Sequence, residues 1–94
     1  MFRNGLSVFF PAYNDAPSLP VLLAKTFATL REHVEDYEVI VVNDGSHDNT
    51  GEVLAELERQ YAPFLRVITH PVNRGYGGAL RTGFRSASKE FVFY

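Results

Sequence analysis

Apolar positions along the chain follow two alternating rhythms. Short runs at "LSVFF" (6–10), "YEVIVV" (37–42), "LRVITH" (65–70) and "FVFY" (91–94) read as strands. The unbroken stretch Val39 to Val42 is the pattern of a strand covered on both faces. Between the runs the apolar spacing becomes helical. "SLPVLLAKTFATLREHV" puts Leu19, Leu22, Leu23, Phe27, Leu30 and Val34 on one face, with Ser18 as N-cap and Pro20 in the first turn. "TGEVLAELERQY" carries a stripe of Val53, Leu54, Leu57 and Tyr61. Asp48 is placed to cap this helix and Pro63 to stop it. Residues 75–88 predict a third helix with Ala79, Leu80, Phe84 and Ala87 inward. Gly83 inside it costs about 1 kcal/mol against alanine, which suggests close packing on a sheet.

The predicted order is β-α-β-α-β-α-β. Helical crossovers of this length imply parallel strands and right-handed connections. The expected fold class is therefore α/β: a three-layer sandwich with a mostly parallel sheet. Ligands of such sheets bind beyond the carboxyl ends of the strands. The strand-to-helix turns "PAYNDAPS", "NDGSHDN" and "HPVNRGYGG" are thus the candidate site.

Composition narrows the classes. A chain of 94 residues with 46% hydrophobic content suits one domain, residues 1–94, and not disorder. A net charge of −2 with no Lys/Arg run gives no nucleic-acid footprint. There is no cysteine, which removes disulfides and thiolate metal sites. "MFRNGLSVFF" reads as a first strand and not a signal peptide, and no apolar run approaches a membrane span. A cytoplasmic setting is the default expectation. The last strand is still running at Tyr94, so the expectation is a fragment of a longer domain, or a sheet completed by a second copy as a homodimer.

In the second turn Asp44 sits directly at a strand's carboxyl end. A turn does not need an acid there, and a carboxylate accepts paired hydrogen bonds from a base edge or ribose hydroxyls. Gly45 lets the backbone turn and Ser46 offers a hydroxyl, whereas Asp48 and Thr50 read as turn and capping residues. In the first turn Pro11 stiffens the loop and closes the strand. Tyr13 offers a flat face, and Asn14 and Asp15 offer polar contacts or simply a turn. In the third, Gly75, Gly77 and Gly78 would open backbone N–H groups at a helix start to an anionic oxygen. Arg74 and Arg81 would add bidentate donors there. The glycines fit neither a P-loop nor a dinucleotide fingerprint, which leaves a nicotinamide enzyme a distant alternative. His33, His47 and His70 have no metal-ligand spacing, and each reads as a surface residue.

"SVFFPAYND", "EVIVVNDGSHDNT" and "NRGYGGALRTGF", in this order, resemble the N-terminal nucleotide-binding half of inverting family 2 glycosyltransferases of the GT-A fold. The third segment is most similar to enzymes that load a sugar onto a polyprenyl or dolichyl phosphate. The resemblance covers essentially the whole chain. It implies a UDP- or GDP-linked sugar as donor and a lipid phosphate as acceptor, with the parent protein at the cytoplasmic face of a membrane. It also implies nucleotide-binding roles for Pro11, Tyr13, Asp15, Asp44, Gly45, Ser46, Arg74, Gly75 and Gly78. In that family an acidic D-x-D-type motif after the fourth strand holds Mg2+ or Mn2+, and the catalytic base lies further on. No residue of this chain matches either. The segment alone is therefore expected to be inactive, and the rival expectation is an inactive binding or self-assembly module.

Overall fold

In the computed structural model, which describes residues 2–94, helices and strands alternate as the spacing predicts. The elements are β1 (Leu6–Ala12), α1 (Leu19–His33), β2 (Tyr37–Asp44), α2 (Thr50–Gln60), β3 (Leu65–His70), α3 (Gly75–Ser86) and β4 (Phe91–Phe93). The four strands form one parallel sheet in the order β3-β2-β1-β4. The first two crossovers walk one way across the sheet and the third walks back past β1. Right-handed connections therefore put α1 and α2 on one face and α3 on the other.

The core divides accordingly. Val8, Val39, Val41 and Leu65 pack with Leu19, Leu23, Phe27 and Leu30 of α1 and Leu54 and Leu57 of α2. Phe9, Ile40 and Val42 point the opposite way and pack with Ala79. Gly83 bears on the same face: a β-carbon there would lie 2.1 Å from the Phe9 ring, so only glycine lets α3 settle onto the sheet.

Four local expectations change. Pro11 does not close β1, because the strand continues to Ala12. The Leu6 N–H donates to Asp36 of the loop entering β2, so strand alternation turns Pro11 toward β4. Pairing with β4 covers only Leu6 to Val8, so Pro11 forfeits no ladder bond. Ser18 gives no side-chain cap; its carbonyl instead accepts the Leu22 N–H. Leu22 is exposed, because no element covers that flank of α1. Phe84 is also exposed: Gly83 takes the inward position, and Phe84 meets the Phe9 edge from the rim, with ring centroids 5.1 Å apart.

A polar clamp fastens the other end of the sheet. Glu38, in β2, is buried and faces the α3 side. Its Oε2 accepts from the Ser7 hydroxyl (2.6 Å) and from the Ser88 N–H and hydroxyl (both 2.7 Å). Its Oε1 pairs with Arg66 of β3 at 3.1 Å. The Ser7 oxygen in turn accepts the Lys89 N–H at 3.1 Å. Burial alone would raise the Glu38 pKa, but these donors and the Arg66 charge outweigh it and hold the carboxyl at about 2. The clamp anchors the α3–β4 connection, which the short β4 pairing alone holds weakly.

Candidate nucleotide-binding site

The carboxyl ends of β1 and β2 and the start of α3 enclose a cleft of about 260 Å3. Of the residues singled out in the sequence, Pro11, Tyr13, Asp15, Asp44 and Gly75 line it. Ala12, Asn73, Tyr76 and Ala79 complete the wall. Tyr13 and Tyr76 are both exposed, so the cleft carries two aromatic faces.

Asp44 organises the inner wall. β2 extends two residues further than expected, so Asn43 and Asp44 still belong to the sheet, and Asp44 pairs in register with His70. His70 is buried and not a surface residue as expected, because parallel pairing sets its ring beside the carboxylate. Asp44 Oδ1 lies 2.8 Å from His70 Nδ1 and accepts the Arg74 N–H at 2.8 Å. Thr82 Oγ1 lies 2.8 Å from His70 Nε2. With Asp44 ionised, the ring donates through Nδ1, and in its neutral form Nε2 accepts from Thr82. Burial would raise the Asp44 pKa. The His70 bond, the Arg74 N–H, the His70 charge and the Gly75 N–H together hold it below the usual carboxylate value.

The first two N–H groups at the helix start are already engaged within the chain. The Arg74 N–H goes to Asp44 and the Gly75 N–H to Asn73 Oδ1 at 2.8 Å. The Asp44 carboxylate thus faces the head of α3. The Asn73 amide also donates to the Asp44 carbonyl at 3.0 Å, tying the β3–α3 loop to the tip of β2.

Gly45 and Ser46 shape the cleft without lining it. Gly45 has φ +68°, and a β-carbon there would lie 2.3 Å from the Asn73 nitrogen. Ser46 Oγ accepts the Asn14 N–H at 3.0 Å, and Asn14 Oδ1 accepts the His47 N–H at 2.9 Å. The Asp15 N–H donates to Thr50 Oγ1 at 3.1 Å, and Asp15 Oδ2 accepts the Tyr13 N–H at 3.2 Å. Asn49, and not Asp48 as expected, is the N-cap of α2 and gives no side-chain cap bond; Asp48, one residue earlier, accepts the Thr50 N–H at 2.9 Å. The first two loops are thus stitched together before any ligand arrives.

Arg74, Gly78 and Arg81 lie elsewhere. They line a separate cavity on the other flank of α3. The sequence reading missed His70, Thr82, Asn73 and Tyr76. For His70 a signal existed, since strand alternation in "LRVITH" puts Arg66, Ile68 and His70 on one face. Among the described residues no group of three or more His, Asp or Glu side chains could hold a metal ion. No described helix is long and apolar enough to cross a membrane.

Known proteins are similar to this chain. The human dolichyl-phosphate beta-glucosyltransferase is 42% identical over 93 residues, 93% of this chain and 29% of that protein. The undecaprenyl-phosphate 4-deoxy-4-formamido-L-arabinose transferase of Serratia proteamaculans is 39% identical over 89 residues, 93% of this chain and 27% of that protein. The mannosyltransferase PcManGT of Pyrobaculum calidifontis, solved in complex with GDP-Man and Mn2+, superposes with a TM-score of 0.81 at 27% identity. That match covers 98% of this chain and 27% of the mannosyltransferase. The chain thus spans just over a quarter of the length of these relatives. The fold is the N-terminal part of a GT-A domain. The profile described as Glycosyl transferase family 2 matches residues 7–94, and the chain belongs to that family.

Proposed function

We propose that residues 1–94 are the nucleotide-diphospho-sugar-binding part of a longer glycosyltransferase domain. The parent enzyme would move a sugar from a UDP- or GDP-sugar to a polyprenyl or dolichyl phosphate at the cytoplasmic face of a membrane. The observation that carries this reading is Asp44, a buried carboxylate held ionised in a cleft at the strand tips. The names of the relatives support the acceptor class, and the GDP-Man complex of the mannosyltransferase supports the donor class.

In this reading the nucleoside lies across the tips of β1 and β2. Asp44 accepts from a base N–H or from ribose hydroxyls, and Tyr13 stacks on the base. Pro11 and Asp15 form the outer wall, while Gly45 and Ser46 hold the turn. Gly75 brings the α3 backbone close to the ligand, and Arg74 and Gly78 sit one step further round the helix. The donor set present does not fit a divalent ion. Asp44, the one buried acid in the cleft, is already engaged by His70 and the Arg74 N–H. The Mg2+ or Mn2+ of the parent enzyme is therefore assigned to residues outside this chain, as is the catalytic base.

Calorimetric titration with UDP and with GDP, each with and without Mn2+, tests the proposal. One nucleotide should bind with little metal dependence, and Asp44→Ala should abolish that binding while the far-UV spectrum stays unchanged. Binding that survives Asp44→Ala in a folded chain would refute the assigned site.

A further inference from the structure

Helix α3 has a second working flank. Gly75, Tyr76 and Ala79 face the nucleotide cleft. Arg74, Gly77, Gly78, Arg81, Thr82 and Arg85 line a different cavity of about 520 Å3. Positions 74, 78, 81 and 85 recur every three or four residues and form one stripe. Thr82 reaches His70 of β3, which sets this cavity toward the β3 edge and away from the cleft.

Its charge is one-signed. Residues 71–88 contain three arginines and no acid, in a chain whose net charge is −2. Arg3, Arg59 and Arg66 each pair with a glutamate. Among the described residues Arg74, Arg81 and Arg85 have no carboxylate partner, and all three are exposed. Arg85, in the last turn of α3, complements the negative end of the helix dipole, but the other placements do not stabilise the free helix. Arg81 and Arg85 are a like-charge pair one turn apart, and Arg74 sits at the positive end of the helix dipole. The floor suits close approach. A β-carbon on Gly77 would meet nothing within 4 Å, and the missing β-carbon of Gly78 lets the Arg74 side chain fold back against the helix.

Three arginines line one polar hollow, and the guanidinium fork suits a group with several anionic oxygens. We infer that this flank of α3 is a second anion site, separate from the nucleotide cleft, that takes a phosphoryl group. The phosphoryl group comes either from an anionic lipid headgroup or from a soluble phosphate. The inference stands whether or not the cleft binds a nucleotide.

The chain is compared with Arg81→Gln/Arg85→Gln and Arg81→Lys/Arg85→Lys, after thermal melts confirm that both double variants fold. Inorganic diphosphate is titrated by calorimetry. Vesicles of phosphatidylcholine, alone or with phosphatidylglycerol, are tested by cosedimentation. At least one phosphate probe should bind, about tenfold or more weakly in the glutamine variant, with the lysine variant between. Diphosphate binding without vesicle preference identifies a soluble source. Binding to phosphatidylglycerol vesicles alone identifies the lipid headgroup. Failure of both probes, binding unchanged by the glutamine pair, or displacement by UDP or GDP would each overturn the inference.

Discussion

Replacing Glu38 by glutamine tests how much one buried carboxylate holds the sheet together. Oε2 takes three donors, and Oε1 takes the Arg66 guanidinium. An amide keeps one acceptor only. If its oxygen serves the serines, its NH2 must face Arg66, donor against donor. The magnitude follows from the titration. Lowering a carboxyl from 4.5 to about 2 corresponds to roughly 3 kcal/mol of stability. Arg66 is half exposed, so solvent screens its share, and about 2 kcal/mol is the expected loss at pH 6. The sign is set by a folded pKa below the unfolded one. The contribution is fully present above about pH 5 and is lost as the pH falls toward 2. Urea unfolding of both proteins at pH 6 and pH 3 reads it. The wild type should lose roughly 1–1.5 kcal/mol more than Glu38→Gln over that interval. Asp44 and Asp48 are also depressed, but they act in both proteins and cancel in the difference. Equal pH dependence in the two proteins would refute the reasoning.

Two further substitutions probe the α3 side of the sheet. Gly83→Ala should destabilise the chain by roughly 1–3 kcal/mol in spite of its better helix propensity, because the new methyl meets the buried Phe9 ring. A raised urea midpoint would show that α3 can move off the sheet at little cost. His70→Ala leaves Thr82 without its ring partner and Asp44 with one fewer donor, for a loss of roughly 2–4 kcal/mol. It should also move the Asp44 titration upward, followed by carboxyl carbon shifts in NMR. An unmoved titration would mean that the backbone donors alone hold Asp44 ionised.

The elements were legible because their apolar periods are clean and their separators are short. The parallel sheet followed from the lengths of the crossovers. Asp44 stood out because a strand end gave no structural reason for an acid. His70 was misread because alternation in β3 gives only the face it shares with Arg66 and Ile68, while its burial beside Asp44 comes from pairing with a residue 26 positions earlier. Pro11 was misread for a similar reason: whether proline ends a strand depends on which neighbour its missing N–H would face. The Glu38 clamp was hidden because its partners come from β1, β3 and the α3–β4 connection. The three arginines were seen only in part. Arg74 was grouped with the nucleotide by its nearness in sequence to the glycines, whereas the helix turns its side chain to the other flank.

The carboxylate of Asp44 faces the head of α3, and this sets a direction for whatever enters the cleft. A helix start with free N–H groups would draw in the most negative end of a nucleotide. Here the Asp44 carboxylate faces that end through the Arg74 N–H, and it would repel a diphosphate brought against it. A guest can approach that wall only with its donor end, the imino or amino edge of a base or the hydroxyls of a ribose. If the cleft takes a nucleotide as proposed, this polarity would favour entry nucleoside-first, with the diphosphate pointing away from Asp44.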